Sequence, residues 1–252
     1  MYESVEPPPL AIEILTDPKE KKDALKLIVD SVAQQRQTAS RALIFHPISL
    51  SIFSACLAIV HYGANIGNDI SIMLIIYPGI ILTYLVAIRY FTSAYIRVAE
   101  ETDWLDWIKE DTIIGARFGD EIIGAVILRL DRAEKKAIIR GWTTRARYRG
   151  RGLGGDVLNE SVKIAKGLLG KDCTVEFAPD HANSHMPLYS IFNGPFLARE
   201  AKARKVLGAA LKDSGKGRDG SRVLNINCRM VIQGRSFVGN LARQSADSWS
   251  KC

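Results

Sequence analysis

Two long apolar runs interrupt a chain that is otherwise polar or mixed in character. Leu43 to Tyr62 is broken only by histidines, Pro47 and small hydroxyl residues, and Ile70 to Phe91 carries Arg89 as its one charge. About 20 residues rising ~1.5 Å each cover the ~30 Å hydrocarbon core of a bilayer, so the two runs predict a transmembrane helical hairpin. Residues 63–69 join them. Arg36 and Arg41 precede the first run, Arg89 and Arg97 close or follow the second, and the connection has no lysine or arginine. That asymmetry puts both termini on the cytosolic side. A secretory leader is not expected, because some forty polar residues precede the first run without a basic start or cleavage site. The other outcome for such runs is a helical pair buried in a soluble core. Pro47 and Pro78 are expected to kink their helices, and Tyr77-Pro78-Gly79 leaves open a re-entrant second segment.

Outside these runs the periodicity changes twice. Residues 1–18, with Pro7-Pro8-Pro9, predict a flexible extended segment, and a helix begins at Thr16 or Asp17 with Pro18 in its first turn. Beyond the hairpin, Ala94–Lys109 has helical spacing, with aromatic residues suited to a membrane interface. The texture then turns to strands. Thr112–Phe118 and Ile122–Leu130 flank a Gly-Asp turn as a β-hairpin, and Ala137–Thr144 is a third strand. A helix is expected from Gly155 to Gly170, a strand at Cys173–Phe177, a helix over Asn183–Phe192 and a basic helix over Leu197–Leu211. Asp213–Ser221 reads as a loop, Val223–Ile232 as a last strand and the stretch beyond Gly234 as a tail. The expected division is thus 1–42 (flexible segment and helix), 43–92 (hairpin), 93–234 (an α+β domain) and 235–252 (tail).

Charge sharpens this picture. The chain carries a net +7 with a pI near 9.2, and residues 93–252 hold the whole surplus. A basic domain beside a membrane suits an anionic small molecule, an anionic lipid surface, or both. Nucleic acid is not expected as a partner, since aromatic residues are sparse around Arg145, Arg147, Arg149 and Arg151. Cys56, Cys173, Cys228 and Cys252 lack C-x-x-C spacing, which argues against a zinc site or a disulfide framework; no metal is expected.

The chemistry concentrates where the third strand gives way to the following helix. Arg149-Gly150-Arg151-Gly152-Leu153-Gly154-Gly155 offers backbone amides free of Cβ obstruction, a helix N-terminus and two guanidinium groups, all suited to phosphate. Gly150-x-Gly152-x-x-Gly155 also matches a dinucleotide fingerprint, with Glu176 downstream as the ribose-binding acid. In that family, however, the glycines follow the strand directly, whereas Arg145–Arg149 intervenes here. A P-loop is excluded because no Gly-Lys-Ser/Thr follows.

Arg149-x-x-Gly152-x-Gly154 resembles the Q/R-x-x-G-x-G/A acetyl-CoA motif of the GCN5-related N-acetyltransferase (GNAT) superfamily. Asn183 through Leu188-Tyr189 to Phe192 and Phe196 resembles its later N…LY…GF element. The two apolar runs upstream are similar to the membrane-anchored, NAT8-like branch. The resemblance implies a GNAT-like, mostly antiparallel mixed sheet flanked by helices behind a transmembrane hairpin, with the catalytic domain facing the cytosol. It implies acetyl-CoA as cosubstrate, cradled by amides from Arg149 through Gly155, with the main chain of Trp142, Thr143 and Thr144 along the pantetheine arm and Asn183 nearby. The acceptor would be an amine of a protein or small molecule. Tyr189 matches the family's tyrosine acid. The strand before the turn lacks the expected carboxylate, which leaves Glu176 as the best base, with Asp180, His181 and His185 behind it. A noncatalytic CoA-binding scaffold and, further off, a dinucleotide-binding oxidoreductase are the alternatives.

Overall fold

The computed structural model describes residues 10–63 and 70–215. The expected strand at Val223–Ile232, the tail and most of the loop from Asp213 lie outside the described residues. The described residues divide into two compact units: 10–28, 110–181 and 205–215 form one, and 29–63, 70–109 and 182–204 the other. Residues 10–28 therefore group with the sheet.

The first unit is built on a five-stranded sheet in the order β1-β2-β3-β4-β5. Its strands are β1 (Leu10–Ile14), β2 (Thr112–Phe118), β3 (Glu121–Asp131), β4 (Lys136–Thr144) and β5 (Thr174–Phe177). The first three pairings are antiparallel; β4 and β5 pair in parallel across the helix α6 (Leu153–Leu169). β1 corrects the expectation of an unpaired N-terminal segment. Leu10 and Leu15 are buried, and β1 completes the sheet edge by pairing Leu10 with Phe118 through Ile14 with Ile114.

The core follows from the alternation. Ile114, Ala116, Val126, Leu128, Ala137 and Ile139 point to one face, where Val157, Leu158, Val162 and Ala165 of α6 recur at helical spacing. Leu207 and Ala210 close the same cluster. They come from α7 (Gly194–Gly215), which extends past both limits expected for the basic helix. A helix α1 (Pro18–Ile44) starts where Asp17 Oδ1 accepts from the amide of Lys19 at 3.0 Å, with proline at the first helical position.

In the second unit the apolar runs form α2 (Pro47–Gly63) and α3 (Ile70–Phe91). Pro47 opens a new helix instead of kinking one, after a 57° bend from α1. Pro78 lies inside α3, which continues through it and so gives no re-entrant break. Ile70–Glu101 is long and apolar enough to cross a membrane, and its most apolar window is wholly unburied. α2 has 17 residues and passes that test only together with α1. The expected helix after the hairpin is two: α4 (Ala94–Glu101) and α5 (Trp104–Ile108), separated where Asp103 caps the second by accepting from Leu105 and Asp106. Asn183–Phe192 is not a helix. It is irregular apart from a short 3₁₀ turn at Ser190–Phe192, because Pro187 interrupts it and its side chains are used as anchors.

Candidate functional site

The parallel pairing of β4 with β5 runs only from Lys136–Thr174 to Ile139–Phe177, extended by one bond from Ala178 N to Ile139 O. β4 continues for five more residues to Thr144. The parting begins at a bulge: Ile127 faces Gly141 and Leu128 faces Ile139, so Arg140 is an extra residue in β4. Its buried guanidinium is held by Asp111 at 2.5 Å, and Asp111 also pairs with Arg129 at 3.1 Å. Beyond the bulge, Arg145 N donates to Ile123 O on the β3 side. By the pleat, the backbone groups of Thr144 and Trp142 face the other way, into the gap beside β5.

The end of β4 leads into this gap's mouth. Ala146–Tyr148 makes a 3₁₀ turn, and Arg149 Nε donates to Thr144 O at 2.9 Å, folding the linker back on its own strand. Glu121, at the start of β3, accepts from Arg145 with one carboxylate oxygen and from Arg147 with the other. Three of the four arginines from Arg145 to Arg151 are therefore used to fix the loop. The roles of Glu121 and Asp111 in these ion pairs were not legible in the sequence, since each meets its partners 18 or more residues away and no short spacing betrays it.

Gly150 and Gly152 have φ of 77° and 92°, the left-handed region that L side chains avoid. This path turns the chain into α6, whose cap is Gly152. Arg149 N donates to Ala146 O, and the amides of Gly155 and Asp156 donate to Gly152 O. The expected cradle of Arg149 through Gly155 narrows accordingly. The amides of Gly150, Arg151, Gly152, Leu153 and Gly154 find no backbone acceptor among the described residues. Gly154 is required for a different reason. A Cβ there would come within 3.1 Å of the Trp142 ring, whose Nε1 donates to Gly154 O at 3.1 Å. The indole thus locks the helix start onto β4, while Arg151 is exposed beside the open amides.

Glu176 is exposed on β5 between Val175, buried beneath α6, and Phe177, whose ring lies 6.1 Å from Trp142. It therefore leaves the sheet by the face opposite α6. Its carboxylate helps hold the Lys136 ammonium above its ordinary pKa, after the larger effect of the Glu134 hydrogen bond.

Asn183 and Tyr189 belong to the second unit. The Asn183 side chain is engaged there, accepting from Gln35 Nε2 at 2.7 Å and pairing with Ser31. Tyr189 is 78% exposed, so it is not a core filler. Phe196 stacks on Tyr95 with ring centroids 5.6 Å apart, and Asn193 Nδ2 donates to Leu188 O, tying down the rest of the segment.

An antiparallel sheet whose last, parallel strand pair parts beside a row of amides at a helix start offers backbone donors and acceptors along a strand edge next to an anion-favouring helix N-terminus. Residues 83–190 match the model of the Acetyltransferase (GNAT) family, and the chain accordingly contains an acetyltransferase domain of the GNAT superfamily. Neither curated proteins nor solved structures give a match.

Proposed function

We propose that the chain is a membrane-anchored N-acetyltransferase that moves acetyl from acetyl-CoA to an amine of a protein or small molecule. The observation that carries this is the parting of β4 from β5 at the Arg140 bulge, next to five open amides at the start of α6. Five donors at a helix N-terminus suit a pyrophosphate, and Arg151 adds charge. The backbone of Trp142 faces the gap, where amide groups of a pantetheine arm would pair as a strand does. Thr144 O is already occupied by Arg149, which leaves fewer main-chain groups for that arm than its neighbours suggest.

In the transfer, the amine lone pair attacks the thioester carbonyl and a C–N bond forms. The oxyanion collapses with cleavage of the C–S bond, and the leaving thiolate takes a proton. We assign Glu176 as acceptor of the amine proton and Tyr189 as donor to the thiolate. Exposure of both side chains supports these roles, as neither is buried in packing. α3, with its most apolar stretch unburied, supports the anchor, with α2 as its partner in a hairpin and the basic surplus as the side kept in the cytosol.

The full chain is the proper sample, because β1 and the start of α1 complete the sheet. Acetyl-CoA at about 100 times its dissociation constant should stabilise the protein by about 2.7 kcal/mol. Stabilisation by NAD(P) without any by CoA would overturn the proposal in favour of a dinucleotide enzyme. If CoA binds, turnover with a panel of amines separates enzyme from scaffold. Tyr189→Phe should then lower kcat with little change in KM for acetyl-CoA; unchanged kcat refutes the acid role.

A further inference from the structure

We propose that residues 189–197 form a second lipid-contacting element, lying in the headgroup region of an anionic bilayer at the foot of the α2–α3 hairpin. The inference rests on reading that hairpin as the anchor. This segment sorts its side chains sharply. Phe196 and Asn193 are buried, and the Phe192 ring meets His46 edge-on at 4.7 Å, which fixes the segment to the junction where α1 ends and α2 begins. On either side of these inward anchors, Tyr189, Ile191 and Leu197 point outward with 78%, 56% and 55% exposure. A short segment held by three anchors has no packing reason to display three large apolar side chains to water.

Their neighbourhood is of the same kind. Phe45, at the α1–α2 bend, and Tyr90 and Phe91, at the end of α3, are also exposed. Tyr84 Oη donates to Ile44 O at 3.0 Å, which joins those two ends of the hairpin. Exposed Arg41 and Arg89 flank them, and exposed Arg199 donates to Thr38 on α1. Aromatic and aliphatic side chains ringed by arginine at the foot of an apolar helix pair match the composition of the headgroup zone, and the charge selects anionic lipid. The apolar patch is continuous with α2 and α3, so one bilayer covers both. Tyr189, with its polar tip on an aromatic ring, suits the same headgroup zone.

The test uses full-length protein with the four native cysteines replaced by serine, reconstituted in phosphatidylglycerol vesicles. An environment-sensitive fluorophore is placed through Ile191→Cys or Leu197→Cys, and a chain retaining only Cys56, exposed on α2, serves as the hairpin control. The expected result is quenching of the Ile191 and Leu197 probes by headgroup-borne nitroxide and of the Cys56 probe by nitroxide deep in the acyl chains. Loss of the shallow quenching when phosphatidylcholine replaces phosphatidylglycerol supports the arginine contribution. Deep quenching at Cys56 with the other two probes open to aqueous iodide overturns this inference and leaves the anchor standing. A water-exposed Cys56 probe overturns both. Blue-shifted emission at Ile191 that no lipid nitroxide quenches shows burial by protein, and also overturns the inference.

Discussion

Gly152→Ala tests the phosphate turn most directly, because the residue's backbone and its surroundings can be separated. At φ 92° an L-residue meets a conformational cost, while the added Cβ would have Asp156 Oδ2 at 3.8 Å as its nearest neighbour, an ordinary contact. The penalty is therefore backbone strain alone, about 1–2 kcal/mol. If the turn keeps its path, the whole penalty falls on folding. If the turn relaxes, the amides of Gly150 to Gly154 rotate off their common target. Each hydrogen bond to a charged group contributes about 1.5–3 kcal/mol, so losing one weakens acetyl-CoA binding by roughly tenfold or more. Urea unfolding and calorimetric titration of the full chain read the two shares. Gly155→Ala is the control. Its amide is used within the helix by Gly152 O, its Cβ meets Val206 Cγ1 at 3.8 Å, and helix propensity should add about 0.8–1 kcal/mol of stability without loss of affinity. If Gly152→Ala changes neither stability nor affinity, or Gly155→Ala weakens binding equally, the reasoning about the turn is wrong.

Asp111→Asn removes the charge that holds Arg140 in the bulge, both side chains being almost fully buried. Breaking such a pair should cost about 3–5 kcal/mol in urea unfolding, and a loss below about 1 kcal/mol would mean that Arg140 repartners. Glu121→Gln frees Arg145 and Arg147 from a partly exposed carboxylate, so stability should move little while KM for acetyl-CoA rises more than kcat falls; an unchanged KM assigns the clamp no role in the turn. Burial pushes the Cys173 thiol above its ordinary pKa, aided by Asp172 and opposed by Lys166. A raised folded pKa means that this contribution to stability is complete below the ordinary thiol range and declines as pH rises through the folded value. Stability measured from pH 7 to 10 should thus fall less for Cys173→Ala than for the parent, and native alkylation at Cys173 should be slow; rapid alkylation at pH 8 contradicts the burial.

Local features of this chain were legible wherever the signal is itself local. The β2–β3 hairpin, the strand before the turn, α6 and its stop at Gly170 follow from alternation, helical spacing and glycine placement, which act over a few residues. The turn itself was legible because its glycines and the helix start that follows are local signals; its role as a phosphate holder is the proposal built on them. Its working atoms were not legible. Which amides remain open depends on bonds such as Gly155 N to Gly152 O, and those appear only once the helix start is set.

What the sequence by itself determined is the set of local elements: apolar runs that become helices, an α+β domain, and a glycine-rich turn that opens a helix. Tertiary structure alone decided how these serve one another. β1 joins the sheet because Leu10 and Leu15 find burial against strands far along the chain, and Arg140 is accommodated as an extra residue of β4 because Asp111, distant in sequence, pairs with its buried guanidinium. Asn183–Phe192 stays irregular because Asn183 is held by α1 while Phe192 meets His46. Each depends on pairing between distant positions, and no local pattern of hydrophobic and polar residues encodes that.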